Sequence, residues 1–87
     1  MKYIIILSSL TEKDSVEDDL VEAHESYLDF LNEQGKLFAS GPFINRPGGM
    51  IILNADNMEE AQAIAQESPL ISRKLRKYEI LEWDQQI

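Results

Sequence analysis

The chain has 87 residues, no cysteine and a formal net charge of −8 at pH 7. The lack of cysteine excludes disulfides, thiolate nucleophiles and cysteine-based metal sites, and the acidic balance argues against binding to nucleic acid or to an anionic membrane surface. The length predicts a single domain over residues 1–87. The N-terminal apolar run, residues 3–7, is too short for a signal-peptide core or a membrane span, so the cytoplasm is the expected compartment.

The first half of the chain predicts a strand, a helix and a second strand. The β-branched stretch "KYIIILSS" favours a strand from Lys2 to Ser8. A helical period follows from Val16 to Gln34, with Ser15 as its N-cap. Gly35 is placed to end that helix in the left-handed conformation. The next stretch, "KLFASGPF", predicts a strand whose proline suits an edge or a bulge.

The second half predicts a strand, a helix and a final strand. "INRPGG" is typical of a turn and "MIILNA" of a third strand. Asn57 followed by Glu60 favours the start of a second helix, which the Ser68–Pro69 step is expected to end. The last strand runs from about Lys77 to Trp83. This element order predicts an α+β, ferredoxin-like βαββαβ sandwich, in which a four-stranded antiparallel sheet carries both helices on one face.

The strand sequences indicate what covers the other face of that sheet. A sheet with one solvated face alternates apolar and polar residues, but "YIIIL" and "MIIL" are apolar on both faces. Exposing several of these side chains would forgo roughly 1.5–3 kcal/mol each and invite aggregation. We therefore expect a homodimer in which the uncovered sheet faces of two copies pack together.

The only histidine, His24, lies within the apolar stripe of the first helix. At roughly 100° per residue, it falls between Leu20 and Leu28 and close to Leu31, so the helix directs it toward the sheet. Two interpretations remain open. The imidazole is either a core group that bonds a backbone carbonyl or Tyr27, or a general acid or base at the bottom of a cleft between helix and sheet.

Several other residues are candidates for that cleft. The candidate pocket residues are Tyr27, Ser40, Gly41, Pro42, Ser68 and Pro69. Gly41–Pro42 is equally consistent with an edge-strand bulge, and Ser68–Pro69 with a simple helix stop. In the basic stretch "RKLRK", Arg73 or Arg76 could contact an anionic ligand, or the stretch could merely balance the acidic first helix. With one histidine and no cysteine, neither a metal site nor a cofactor is expected.

The stretch "HESYLDFLNEQGKLFASGP" resembles the YciI-like family, with its helix histidine, following leucines, glycine and Gly-Pro. The helix "NMEEAQAIAQESPL" is similar to the family's second signature. This resemblance implies a ferredoxin-like fold of the dimeric α+β barrel type and a small enzyme with a His/Asp pair in a cleft. Related muconolactone-isomerase-like and dechlorinating proteins act on small, often ring-derived organic acids. The family's histidine corresponds to His24, and its Gly-Pro to Gly41 and Pro42.

One position departs from the family pattern. The acidic residue usual before the proline is Ser68 in this chain. The histidine–acid pair is therefore incomplete unless another acid, such as Glu67 or Asp56, reaches the histidine. The sequence predicts a cofactor-free enzyme of isomerase, lyase or hydrolase type, acting on a small organic acid through His24. A non-catalytic ligand-binding or regulatory module that uses the same cleft is the alternative.

Overall fold

The computed structural model describes residues 1–9, 18–72 and 76–87, without the side chains of Ser9, Asp18, Asp19 and Arg76. The elements, in chain order, are β1 (Lys2–Ser9), α1 (Asp18–Glu33), β2 (Leu37–Pro42), β3 (Gly49–Asn54), α2 (Met58–Gln66), α3 (Pro69–Ser72) and β4 (Arg76–Trp83). Apart from the short α3, this is the predicted order. The predicted N-cap, Ser15, lies outside the described residues.

The four strands form one antiparallel sheet in the order β2-β3-β1-β4. This is the order of a ferredoxin-like sandwich, so the predicted α+β fold is confirmed. β2 is an edge strand, as the proline in its sequence indicated. The irregularity in its pairing lies between Leu37 and Ala39, however, and not at Gly41–Pro42, which keep their register opposite β3.

Two predicted helix ends are confirmed. Gly35 follows α1 with φ at 73°, and the Lys36 N–H donates to the Leu31 carbonyl at 2.9 Å. Only glycine adopts this left-handed conformation without steric cost. At the start of α2, Asn57 accepts a 2.8 Å hydrogen bond from the Glu60 N–H, which satisfies one of the free donors at a helix N-terminus.

The one-turn helix α3 was not predicted. The Ser68–Pro69 step does follow the end of α2, but Pro69 is also the first residue of α3. Proline suits that position because its fixed φ is helical and the missing N–H would have no partner there. The Ser68 carbonyl accepts from the N–H groups of Ile71 and Ser72 at 3.1 and 2.8 Å, which holds the turn together.

The core lies between the helices and one face of the sheet. Alternate residues of the central strands face it, and all of these are at most 3 % exposed: Tyr3, Ile5, Leu7, Ile51 and Leu53. The four aliphatic residues pack with Leu31 of α1, Ile64 of α2 and Leu70 of α3, and Tyr3 packs with Ala55 and Ala61. Both longer helices therefore cover the same face, as the right-handed crossovers predict.

The opposite face of the sheet has no helix over it among the described residues. The strand register places Ala39, Ile52, Ile4 and Leu81 in one row across all four strands. Leu81 is 41 % exposed and Phe38, near the end of that row, is 47 % exposed. We call this surface the open face. No helix in the described part of the chain is both long and apolar enough to cross a membrane.

Candidate functional site

A cleft of about 540 Å³ lies between α1 and the end of the sheet where β2 leads into β3. Its walls come from β1, both strands of that hairpin, α1 and α3. Six apolar side chains line it: Leu7, Val21, Leu28, Met50, Ile51 and Leu70. Such a lining, with a few polar groups placed in it, is the usual composition of a small-molecule site.

His24 lies on the α1 wall of this cleft. The residue is partly buried, and its Nδ1 atom is closed to solvent. The ring lies 6.2 Å from the ring of Tyr27, centroid to centroid, with 25° between the two planes. An imidazole that faces an apolar cleft can exchange a proton with a bound molecule near neutral pH, because its ordinary pKa is about 6.5.

Glu25 also lines the cleft and was not among the predicted site residues. It is exposed, which places its carboxylate at the rim. Because it follows His24 directly, it lies about 100° around the helix from the imidazole, where the acidic outer face of α1 meets the apolar stripe. That border position was visible in the sequence, but the whole acidic face suggested solvent contact alone.

The hairpin wall is formed by Ser40, Gly41 and Pro42 of β2 and by Gly48 and Gly49 around the start of β3. The first three are predicted site residues, and the structure brings them to the same cleft as His24. Gly48 has φ at 103°, and a Cβ atom there would collide with the Leu7 carbonyl. Gly48 thus lets the hairpin lie close against β1.

Tyr27 does not line the cleft. Its hydroxyl donates a 2.6 Å hydrogen bond to the Ile64 carbonyl and so joins α1 to α2. Burial raises the pKa of Tyr27 above its ordinary 10.0, and the nearby charge of Glu67 raises it further. The phenol therefore stays protonated and acts as a hydrogen-bond donor that anchors the ring beside His24.

Ser68 and Pro69 also lie outside the cleft wall, although the next residue, Leu70, is part of it. Ser68 is fully buried, at 0 % exposure, and its Oγ has no hydrogen-bond partner among the described residues. Neither Glu67 nor Asp56 is among the lining residues. Within the described chain, Glu25 is instead the carboxylate that shares the cleft with His24.

The predicted anion contacts cannot be placed in the cleft. Arg73 lies outside the described residues, and so does the side chain of Arg76, whose backbone begins β4. Among the residues whose positions are described, no group of three or more His, Asp or Glu side chains is arranged to hold a metal ion.

Comparison with known proteins identifies the family. The family model of the YCII-related domain matches residues 1–84. The chain belongs to the YCII-related family. The resemblance seen in the sequence is thereby confirmed, and the match runs through every element of the fold, from β1 to β4.

Two known proteins are similar to this YCII-related chain, one in sequence and one in fold. The uncharacterized protein YjpA of Bacillus subtilis (strain 168) is 34 % identical over 83 residues, which is 95 % of each chain. The 5-chloro-2-hydroxyhydroquinone dehydrochlorinase of Burkholderia phenoliruptrix AC1100, solved with 2,5-dihydroxybenzoquinone, has a TM-score of 0.81. It is 20 % identical, and the match covers 97 % of this chain and 94 % of the dehydrochlorinase. This likeness shows the fold, the dimeric α+β barrel type.

Proposed function

We propose that this YCII-related protein is a small cofactor-free enzyme, one domain over residues 1–87, that moves protons within a small organic molecule. The observation that carries the proposal is the position of His24 on the wall of an apolar cleft of about 540 Å³. The similar fold of a dehydrochlorinase solved with a ring compound supports it, since that protein holds a molecule of suitable size. The cytoplasm is the proposed compartment.

In this proposal the proton moves at Nε2 of His24, because Nδ1 is closed to solvent. Nε2 accepts a proton from an acidified C–H or O–H of the ligand, and the electron pair of that bond shifts into the ligand. The proton then returns to another atom of the ligand in an isomerisation, or leaves with the departing group in an elimination. General acid–base catalysis of this kind contributes about 10²–10⁴-fold.

Deuterium exchange tests this chemistry whatever the final product is. The protein is incubated in D₂O with unsaturated lactones, chlorinated hydroquinones and small carboxylic acids, and mass spectrometry records deuterium uptake or loss of chloride. We expect protein-dependent exchange for at least one class and a loss of about 10²-fold or more in His24→Ala. Exchange that is undiminished in His24→Ala, with ligand affinity retained, contradicts the proposal. Asn32→Ala, at an exposed position on the same helix, is the control.

A second candidate is a non-catalytic ligand-binding or regulatory module that uses the same cleft. The observation that favours it is Ser68, which takes the place of the family's acidic residue and has a buried hydroxyl outside the cleft wall. A serine cannot stabilise an imidazolium as a carboxylate does. Tight binding of a ligand that is never exchanged or converted would select this candidate.

We also propose that two copies pair through the open face. The row formed by Ala39, Ile52, Ile4 and Leu81 crosses the whole sheet, and an apolar patch of that continuity is typical of an interface. Pairing would bury side chains that a solvated sheet face would not carry. Light scattering at micromolar concentration is expected to give twice the 10.0 kDa chain mass. A monomer at that concentration contradicts the pairing.

A further inference from the structure

The cleft carries little that could hold a negative charge. Among the described residues that line it, only His24 and Glu25 have ionisable side chains. The remaining walls are apolar side chains, the Ser40 hydroxyl and the glycine-rich hairpin. A carboxylate that enters an apolar site without a cation loses its hydration and gains no compensating charge pair, which costs several kcal/mol.

The rim of the cleft is acidic. Glu22 and Asp29 lie three and four residues from Glu25 on α1, and all three are exposed. Residues at this spacing are neighbours on a helix, with Cβ atoms about 5–6 Å apart. Three carboxylates therefore lie well within one Debye length of the opening, about 8 Å at physiological salt, and their field repels an approaching anion.

No lysine or arginine side chain of the described chain lines the cleft. Lys36 pairs with Glu60 at 2.6 Å, and Lys2 donates to Asn54 at 2.9 Å while it lies over the Phe38 ring. Arg46, in the turn after β2, lies 5.6 Å from the Phe43 ring centroid and does not line the cleft. Among the described lining residues, His24 is thus the sole side chain that can carry a positive charge beside Glu25.

We propose that the cleft takes an uncharged ligand, an apolar ring or short chain with a hydroxyl or carbonyl that hydrogen-bonds His24, and that Glu25 is the residue that discriminates against anions. This inference rests on the proposed use of the cleft as the ligand site. It departs from the organic-acid substrate that the family resemblance implies, because the acid's carboxylate would meet Glu25 and no lysine or arginine among the described lining residues.

A matched pair of probes tests the ligand class. 4-Hydroxybenzyl alcohol is uncharged and 4-hydroxybenzoate is anionic. The two compounds are the same phenol and differ only in the group opposite the hydroxyl. Dissociation constants are measured for wild type by NMR titration that follows the His24 ring signals, at low and at high salt. We expect the alcohol to bind about tenfold or more tightly than the benzoate at low salt, and the ratio to shrink at high salt as the rim charges are screened.

Glu25→Gln is the decisive variant, and Glu33→Gln is its matched control. Both remove one carboxylate from an exposed position on α1, but Glu33 is about two turns from Glu25 and does not line the cleft. Glu25→Gln is expected to reduce the alcohol-to-benzoate ratio about threefold or more, while Glu33→Gln leaves it unchanged. Equal effects of the two variants would overturn the role of Glu25.

The remaining outcomes separate this inference from the proposed function. A benzoate that binds more tightly than the alcohol overturns the ligand class, and loss of that binding in Arg73→Gln or Arg76→Gln would identify the cation responsible. Failure of both probes to bind at millimolar concentration also overturns it. If the alcohol is preferred but His24→Ala still catalyses deuterium exchange, the ligand class stands and the acid–base role of His24 fails.

Discussion

The two faces of the sheet have similar side chains and very different surroundings. Tyr3, Ile5 and Leu7 point toward the helices and are at most 3 % exposed, whereas Ile4 and Ile6, between them on the same strand, point away and are only partly buried. One strand thus contributes to two apolar surfaces, of which the described residues cover one with helices. The strand sequences are therefore more apolar than the cover supplied by the described helices requires.

The largest effect is expected on the covered face. Replacing Ile5, which is 0 % exposed, with alanine leaves a cavity and should lower the free energy of unfolding by roughly 2–5 kcal/mol. Ile4→Ala removes the same atoms from the open face and should cost about 1 kcal/mol within one chain. Urea denaturation measures both. Equal losses that do not vary with protein concentration would contradict the distinction between the faces.

The second largest effect is expected on self-association, from a variant on the open face. Leu81→Arg places a charge at the 41 % exposed end of the apolar row and should weaken self-association about 100-fold or more, because a charge buried at an interface without a partner is strongly unfavourable. Sedimentation velocity over a range of concentrations measures the change. Gln85→Arg adds the same charge in the exposed C-terminal tail and should leave the association unaltered.

A smaller loss of stability is expected at the contact between α1 and α2. Tyr27→Phe removes the 2.6 Å hydrogen bond to the Ile64 carbonyl and should cost about 1 kcal/mol. The variant should also alter the pH dependence of stability. The pKa of Tyr27 is raised in the folded state, so its contribution is fully present below pH 10 and falls as the pH rises above that value.

Alkaline titration of unfolding free energy checks this expectation. Wild type should lose stability above about pH 10, and Tyr27→Phe should lose less of it. The loss does not vanish in the variant, because burial also raises the pKa of Tyr3. A variant whose alkaline profile matches that of wild type would show that the Tyr27 hydroxyl is not a buried donor.

The smallest change in stability is expected for Ser68, a polar residue on the covered face. The Ser68 hydroxyl is fully buried and has no partner in the described structure, so Ser68→Ala removes an unsatisfied group and should leave stability unchanged or raise it by up to about 1 kcal/mol. Ser72→Ala, at an exposed position in α3, is the reference. A loss of more than about 1 kcal/mol would mean that the hydroxyl makes a stabilising hydrogen bond.

The sequence predicted the fold well because its signals are local. The β-branched strand segments, Gly35 after α1 and Asn57 before α2 each act within their own segment, and the structure has these strands and helix ends where the sequence predicted them. The helix α3 was missed because a proline at a helix end and a proline at a helix start look alike in a single sequence. The sequence left Gly41–Pro42 open as an edge-strand bulge or as part of the pocket wall. These two residues line the cleft, and the irregularity of β2 occurs at Phe38.

The candidate site was harder to predict because it depends on contacts between distant segments. The helical period directed His24 inward, and Ser40, Gly41 and Pro42 were candidates because they follow that helix closely along the chain. Tyr27 shares the apolar stripe with His24, but only the packing of α2 decides that its hydroxyl meets Ile64 instead of the cleft. Glu25 was missed because a residue at the edge of a stripe lines a cleft or faces solvent according to where the neighbouring hairpin lies.

The glycines at the start of β3 determine which wall of the cleft tolerates substitution. A side chain at Gly48 would collide with the Leu7 carbonyl, and one at Gly49 would come within 2.7 Å of the Gly41 carbonyl, so neither position accepts a larger residue without moving the strands. Val21 and Glu25 are exposed on α1, whereas Leu28 of the same wall packs against the core. Relatives that recognise molecules of different size or polarity should therefore differ along α1, and directed evolution of this protein should begin with Val21 and Glu25.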